Sequence, residues 1–194
     1  MSVTAAQTVP GYTAGTWTID PVHSEVGFAV RHMMVSKVRG KFKVFSGDIV
    51  TGESPLESSV TATIDLSSID TGNEDRDNHL RSADFFEAEK YPYITYKLNR
   101  VEPVDAETYK LHGDLTIKDV TKPIVLTATL EGRTPDPMTG GKERLGISVR
   151  GQVNRMDFGL NWDGLAGAIP MASHNIKIEV EAEIVVKAAE LASA

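Results

Sequence analysis

The feature that most constrains this chain is an alternation of apolar and polar residues with a period of two, sustained through most of its length. In residues 60–66 (VTATIDL) every even position is apolar and every odd one polar, and residues 111–118, 124–131 and 145–153 repeat the pattern. The strongest run is 176–184 (IKIEVEAEI). Shorter runs at 17–19, 25–32, 42–49 and 94–98 bring the strand candidates to about nine. Such alternation gives each strand one buried and one solvated face. Helical periodicity is convincing only over residues 73–84 (NEDRDNHLRSAD), where Asn73 can cap the first backbone N–H groups and acidic residues suit the positive end of the helix dipole. A short helix is therefore expected between strands near residues 73–86. A second irregular stretch, 154–173, carries Arg155, Asp157, Phe158, Trp162 and the glycines Gly159, Gly164 and Gly167.

One-sided strands must bury their apolar faces, and with almost no helix available the partner is a second sheet or the same sheet closed on itself. Closure removes the exposed edges that a sandwich keeps. The expectation is an all-β, up-and-down antiparallel barrel of about eight strands. Strands of about ten residues, tilted at about 40°, make such a barrel roughly 25 Å tall. Residues 15–187 form this domain, and 1–14 and 188–194 read as loosely held ends.

The alternation also nominates the residues that face inward. They are Phe28, Val30 and Phe42 early in the chain, then Ala62 and Ile64, Ile94 and Tyr96, and Leu111, Gly113 and Leu115. Leu126 and Ala128, Ile147 and Val149, and Ile178 and Val180 follow from the later strands. Phe85 and Phe86, after the helix, and Phe158 and Trp162, in the irregular stretch, are the aromatic candidates for one end of the barrel. Small residues at Ala62, Gly113, Ala128, Gly151 and Ala182 either fit the taper of a packed barrel or leave room for an apolar guest. Both readings stay open on the pattern alone.

Composition excludes several chemistries. The chain has no cysteine, which removes disulfides, thiolate nucleophiles and cysteine-ligated metals. Its five histidines, His23, His32, His79, His112 and His174, lack HxH or HxxxH spacing, so no zinc motif, metal or cofactor is expected. A net charge of −7 argues against nucleic acid as a partner. The exception is the basic run 31–43 (RHMMVSKVRGKFK), which suits either an anionic lipid or phosphate group, or a solvated strand edge. No stretch approaches the ~20 apolar residues of a spanning helix, and the first 14 residues lack the basic start and apolar run of a secretory leader. A cytoplasmic location is the resulting expectation. Asp20 with His23, and His79 near Asp77, are the conceivable acid–base pairs, although turn capping explains such residues equally well. No catalytic residue is assigned.

Several segments, in one order, resemble a known family. Residues 18–28 (TIDPVHSEVGF) with His32, 42–47 (FKVFSG), 68–72 (SIDTG), 76–86 (RDNHLRSADFF) with Lys90-Tyr91-Pro92, 113–123 (GDLTIKDVTKP) and 155–159 (RMDFG) are similar to the YceI-like family across roughly residues 15–187. The resemblance implies a lipocalin-like barrel whose interior holds a long isoprenoid chain, such as a polyprenyl phosphate or pyrophosphate or an isoprenoid quinone. The role it implies is storage, sequestration or transfer, with no chemistry performed. A headgroup would then need polar or cationic residues at the mouth, and His32, Arg76, His79, Arg81 and Arg155 are the candidates. The competing functions are an enzyme acting on an isoprenoid through Asp20, His23 or His79, and a packed barrel that serves as an interaction module. A residual strand edge leaves room for a homodimer.

Overall fold

The computed structural model of the chain describes residues 14–162, 164–166 and 169–187. The expected end segments, apart from Ala14, and Gly167 in the irregular stretch lie outside these. In chain order the strands are β1 (Gly15–Ile19), β2 (Glu25–His32), β3 (Ser36–Phe42), β4 (Phe45–Thr51), β5 (Ser59–Asp65) and the two-residue β6 (Ile69–Asp70), followed by helix α1 (Glu74–Arg81). After the helix come β7 (Tyr93–Pro103), β8 (Thr108–Ile117), β9 (Val120–Asp136), β10 (Lys142–Asn154), the short β11 (Leu165–Ala166) and β12 (Ile169–Pro170), and finally β13 (Ala172–Val186).

The strands close into a ring. The hydrogen-bonded order β1-β4-β5-β7-β8-β9-β10-β13 returns to its start because β13 also pairs with β1. This is the eight-stranded antiparallel barrel expected from the alternation. Strand β13 serves two partners along its length: Val186 to Ile184 pair with β1, whereas Val180 to Ile176 pair with Val26 to Val30 of β2. Strands β1 and β2 thus act as one interrupted stave, and β2-β3-β6 continue the wall toward α1.

Two local departures from the sequence reading have clear physical reasons. The run 42–49 is two strands, because the alternation restarts at Lys43 and Val44, both exposed. There the backbone N–H groups of Lys43 and Val44 donate to the carbonyl and hydroxyl of Ser68, at 3.2 and 3.0 Å, instead of to a neighbouring strand. The basic run hides strand β3, whose outward positions Lys37, Arg39 and Lys41 are charged and whose inward ones are Val38, Gly40 and Phe42. The helix forms as expected and is shorter than the run that suggests it. The Asn73 side chain accepts the Arg76 N–H at 2.9 Å, Glu74, Asp75 and Asp77 occupy the first turn, and the Ser82 N–H closes the last turn on the His79 carbonyl. The tight β8–β9 hairpin turns at Lys118, which has φ +57°.

Register places the ends of the barrel. Ile117, Ile124, Val153, Ile176 and His32 lie toward α1, and Tyr109, Leu130, Leu145 and Ile184 lie toward the opposite end. Trp17 is wholly buried at that far end, with its indole N–H donating to the Thr51 hydroxyl at 2.9 Å. Leu66, Ile69, Ile117, Phe158 and Leu160 are buried members of the hydrophobic core that also takes in Val101 and Tyr109.

Candidate functional site

Between these ends the barrel encloses a long cavity of about 1120 Å³. That is somewhat above the usual size of ligand pockets, roughly 300–1,000 Å³. Its lining includes side chains from every stave, and it extends from Thr71, Asp75, Arg76 and His79 at the helix end to Glu107, Glu131 and Arg133 at the other. Period-two alternation on eight strands is what makes the wall apolar: each strand sends every second side chain inward.

Most of the sequence-nominated residues line this space. Phe28, Val30, Phe42, Ala62, Ile64, Ile94, Tyr96, Leu111 and Leu115 do so from the first half of the barrel. Leu126, Ala128, Ile147, Val149, Ile178 and Val180 do so from the second, and Phe85, Phe86 and Trp162 from the end. Gly113 does not, because the Tyr96 ring lies over it: a Cβ there would stand 2.5 Å from the Tyr96 ring and from the Lys97 carbonyl. Gly151 is likewise overlaid by Leu126, whose Cδ2 would stand 2.3 Å from an added Cβ. The small residues thus divide into two kinds: the alanines Ala62, Ala128 and Ala182 border open space, while these two glycines accommodate a neighbour's side chain. Phe158 also lies outside the cavity, buried beneath β9 and β10.

The mouth is built from three segments. His79 on α1 meets Phe85 and Trp162 edge-on, with ring centroids 5.1 and 5.0 Å away, and Phe85 and Trp162 are 5.2 Å apart. This aromatic group ties the helix, the turn after it and the 159–162 segment together. His79 Nε2 also lies 3.0 Å from an Asp84 carboxylate oxygen. Arg76 is exposed at the rim, donating to the Thr71 hydroxyl at 2.7 Å and the Thr71 carbonyl at 2.9 Å. His32 borders the cavity from the end of β2.

The other two cations serve the walls. Arg81 turns away from the cavity and donates to the carbonyls of Ser67 and Ile69, both at 2.9 Å, which fastens the helix to the barrel. Arg155 borders the cavity and is buried, and its guanidinium donates to the carbonyls of Leu160, Trp162, Ala172 and Ser173. It pins the 160–162 segment to the start of β13. Sequence reasoning did not nominate Thr71, Asp75, Val38 or Leu80, which also line the cavity. Val38 follows from alternation once β3 is recognised; Thr71 and Asp75 have no periodic signal.

The Asp20–His23 pair has a different setting. His23 Nδ1 is 2.9 Å from Asp20, and Arg144 donates to Asp20 at 2.6 Å, Glu183 at 2.7 Å and Asp136 at 2.8 Å. Asp20, His23 and Glu183 are close enough together to hold a metal, but the Arg144 guanidinium bonds both carboxylates. The Arg144 hydrogen bond, followed by that of His23, holds the Asp20 carboxyl well below the ordinary carboxylate range. Arg144 depresses Asp136 in the same way. None of Asp20, His23, Asp136 and Arg144 borders the cavity. Within it, burial pushes the Tyr96 phenol up to about 12.

A family model for the YceI-like domain matches residues 17–184. The chain belongs to the YceI-like family. A UPF0312 protein of Staphylococcus epidermidis is 40% identical over 172 residues, covering 86% of this chain and 95% of that protein. One from Photorhabdus laumondii is 39% identical over 142 residues, covering 73% and 72%. Among solved structures, the YCEI protein of Campylobacter jejuni is 35% identical with a TM-score of 0.71, covering 91% of this chain and 98% of that one. A polyisoprenoid binding domain from Saccharophagus degradans shares the fold at 17% identity, with a TM-score of 0.67 and coverage of 88% and 98%. No described helix is long and apolar enough to cross a membrane.

Proposed function

We propose that this YceI-like protein binds one long isoprenoid lipid, a polyprenyl phosphate or an isoprenoid quinone, along the barrel axis, for storage, sequestration or transfer. The observation that carries this reading is the elongated apolar cavity of about 1120 Å³. If each heavy-atom group takes about 30 Å³, as water does in the liquid, the space admits roughly 37 heavy atoms, or about seven five-carbon units. Each buried CH₂ contributes up to about 0.8 kcal/mol before the cost of freezing torsions, so such a chain needs no hydrogen bond to bind tightly. The fold shared with a polyisoprenoid binding domain supports the same ligand class. Arg76, His79 and His32 stand where a headgroup would emerge.

Mass spectrometry of an organic extract from natively purified protein, with a denatured-protein control, tests this directly. The expected result is an isoprenoid near one per chain. An empty extract that stays empty after incubation with quinones and polyprenyl phosphates would overturn the reading and favour a barrel acting through its outer surface.

A further inference from the structure

The basic run noted in the sequence folds into the β2–β3 hairpin, whose tip stands beside the mouth. Two consecutive residues at the tip, Met33 and Met34, have φ of +49° and +61°, and the Val35 N–H donates to the His32 carbonyl at 2.9 Å. Such turns favour asparagine and glycine, and bulky side chains there are disfavoured. The chain nevertheless places Met-Met-Val at the tip, with Met34 57% and Val35 83% exposed.

The strands behind the tip carry an unusual charge pattern. Arg31 and Lys37 are direct cross-strand partners, a like-charge pairing that destabilises a sheet. Arg39 and Lys177 both pair across from Ala29 on the same outer face, and Ala29 is buried. Of these four cations only Arg39 has an ion-pair partner among the described residues, Glu179 at 3.9 Å. This cationic excess sits on a chain of net charge −7. Protection of an open strand edge accounts for lysines on β3, but not for the exposed methionine and valine at its tip. Across the mouth, α1 carries Glu74, Asp75 and Asp77 against Arg76 and Arg81, so the excess belongs to the hairpin and the adjoining stretch of β13.

An apolar tip backed by four cations, three of them without a carboxylate partner among the described residues, matches a surface that is apolar at depth and anionic at its face. We propose that the β2–β3 hairpin docks the mouth of the barrel onto an anionic lipid bilayer, with Met34 and Val35 entering the interface and Arg31, Lys37, Arg39 and Lys177 facing the headgroups. The proposal stands apart from the cavity's ligand and can be tested without one.

Co-sedimentation of the full chain with phosphatidylglycerol–phosphatidylcholine vesicles, against pure phosphatidylcholine, is the test. Binding should require the anionic lipid and weaken with salt. The double variant R31E/K37E should bind at least about 25-fold more weakly, at about fivefold per lost cation. The second variant, M34N/V35S, should melt no lower than the wild type, since asparagine tolerates the left-handed turn, yet bind at least about tenfold more weakly. Absence of binding to the anionic vesicles, equal binding to both vesicle types, or unchanged binding by R31E/K37E would overturn the proposal. Its failure leaves the lipid-extraction result untouched.

Discussion

Ala128→Trp is the perturbation that most directly tests the use of the barrel interior. Ala128 faces the cavity from β9, between Tyr109 of β8 and Val149 of β10 and two residues from Leu130, in the part of the barrel farther from α1. The substitution replaces a one-carbon side chain by a ten-atom one, so nine heavy atoms are added. Against room for roughly 37 at about 30 Å³ each, that is about a quarter of the cavity. A ligand entering at the helix end loses its terminal nine or so atoms, about two five-carbon units. At up to about 0.8 kcal/mol per buried carbon, a chain long enough to fill the wild-type cavity loses up to about 7 kcal/mol. The assay is affinity measured across a series of polyprenyl chain lengths, with circular dichroism and Tm as controls. The preferred length should shorten by about two units while short chains bind as before. An unchanged length preference in a folded variant would refute both the inward placement of Ala128 and the axial pose.

Two further outcomes are expected. Asp20 and Asp136 are depressed by Arg144, so the stability they confer is present above the unfolded-state value of about 3.9 and lost as pH falls through their lower folded values. Arg144→Ala should therefore lower Tm by several degrees at neutral pH and flatten its decline between about pH 5 and pH 2, whereas a parallel curve would refute the linkage. Gly113→Ala pushes a methyl group into the Tyr96 ring and the Lys97 carbonyl, and should cost about 1–3 kcal/mol in denaturant unfolding. A stability equal to the wild type would show that Tyr96 can leave its place over Gly113.

The alternation determined the barrel and most of its lining because burial acts on one residue at a time and a strand's geometry fixes which side each residue faces. Leu111, Leu115, Ile147 and Ile178 needed no tertiary information to be assigned inward. The Asn73 cap and the acidic first turn located α1 for the same reason: both act over a few residues of chain. Other outcomes depended on contacts between segments far apart in sequence. Gly113 and Gly151 had the inward phase but are covered by Tyr96 and Leu126, a matter of side-chain direction across neighbouring strands. Arg81, two residues from His79, and Arg155, seven from Trp162, direct their donors to carbonyls that the fold brings to them. The sequence left a packed or hollow interior undecided, because alternation names the side chains that face inward without giving the radius of the ring they must fill. Closure of β13 onto β1 set that radius for eight staves, and the inward side chains leave about 1120 Å³ between them.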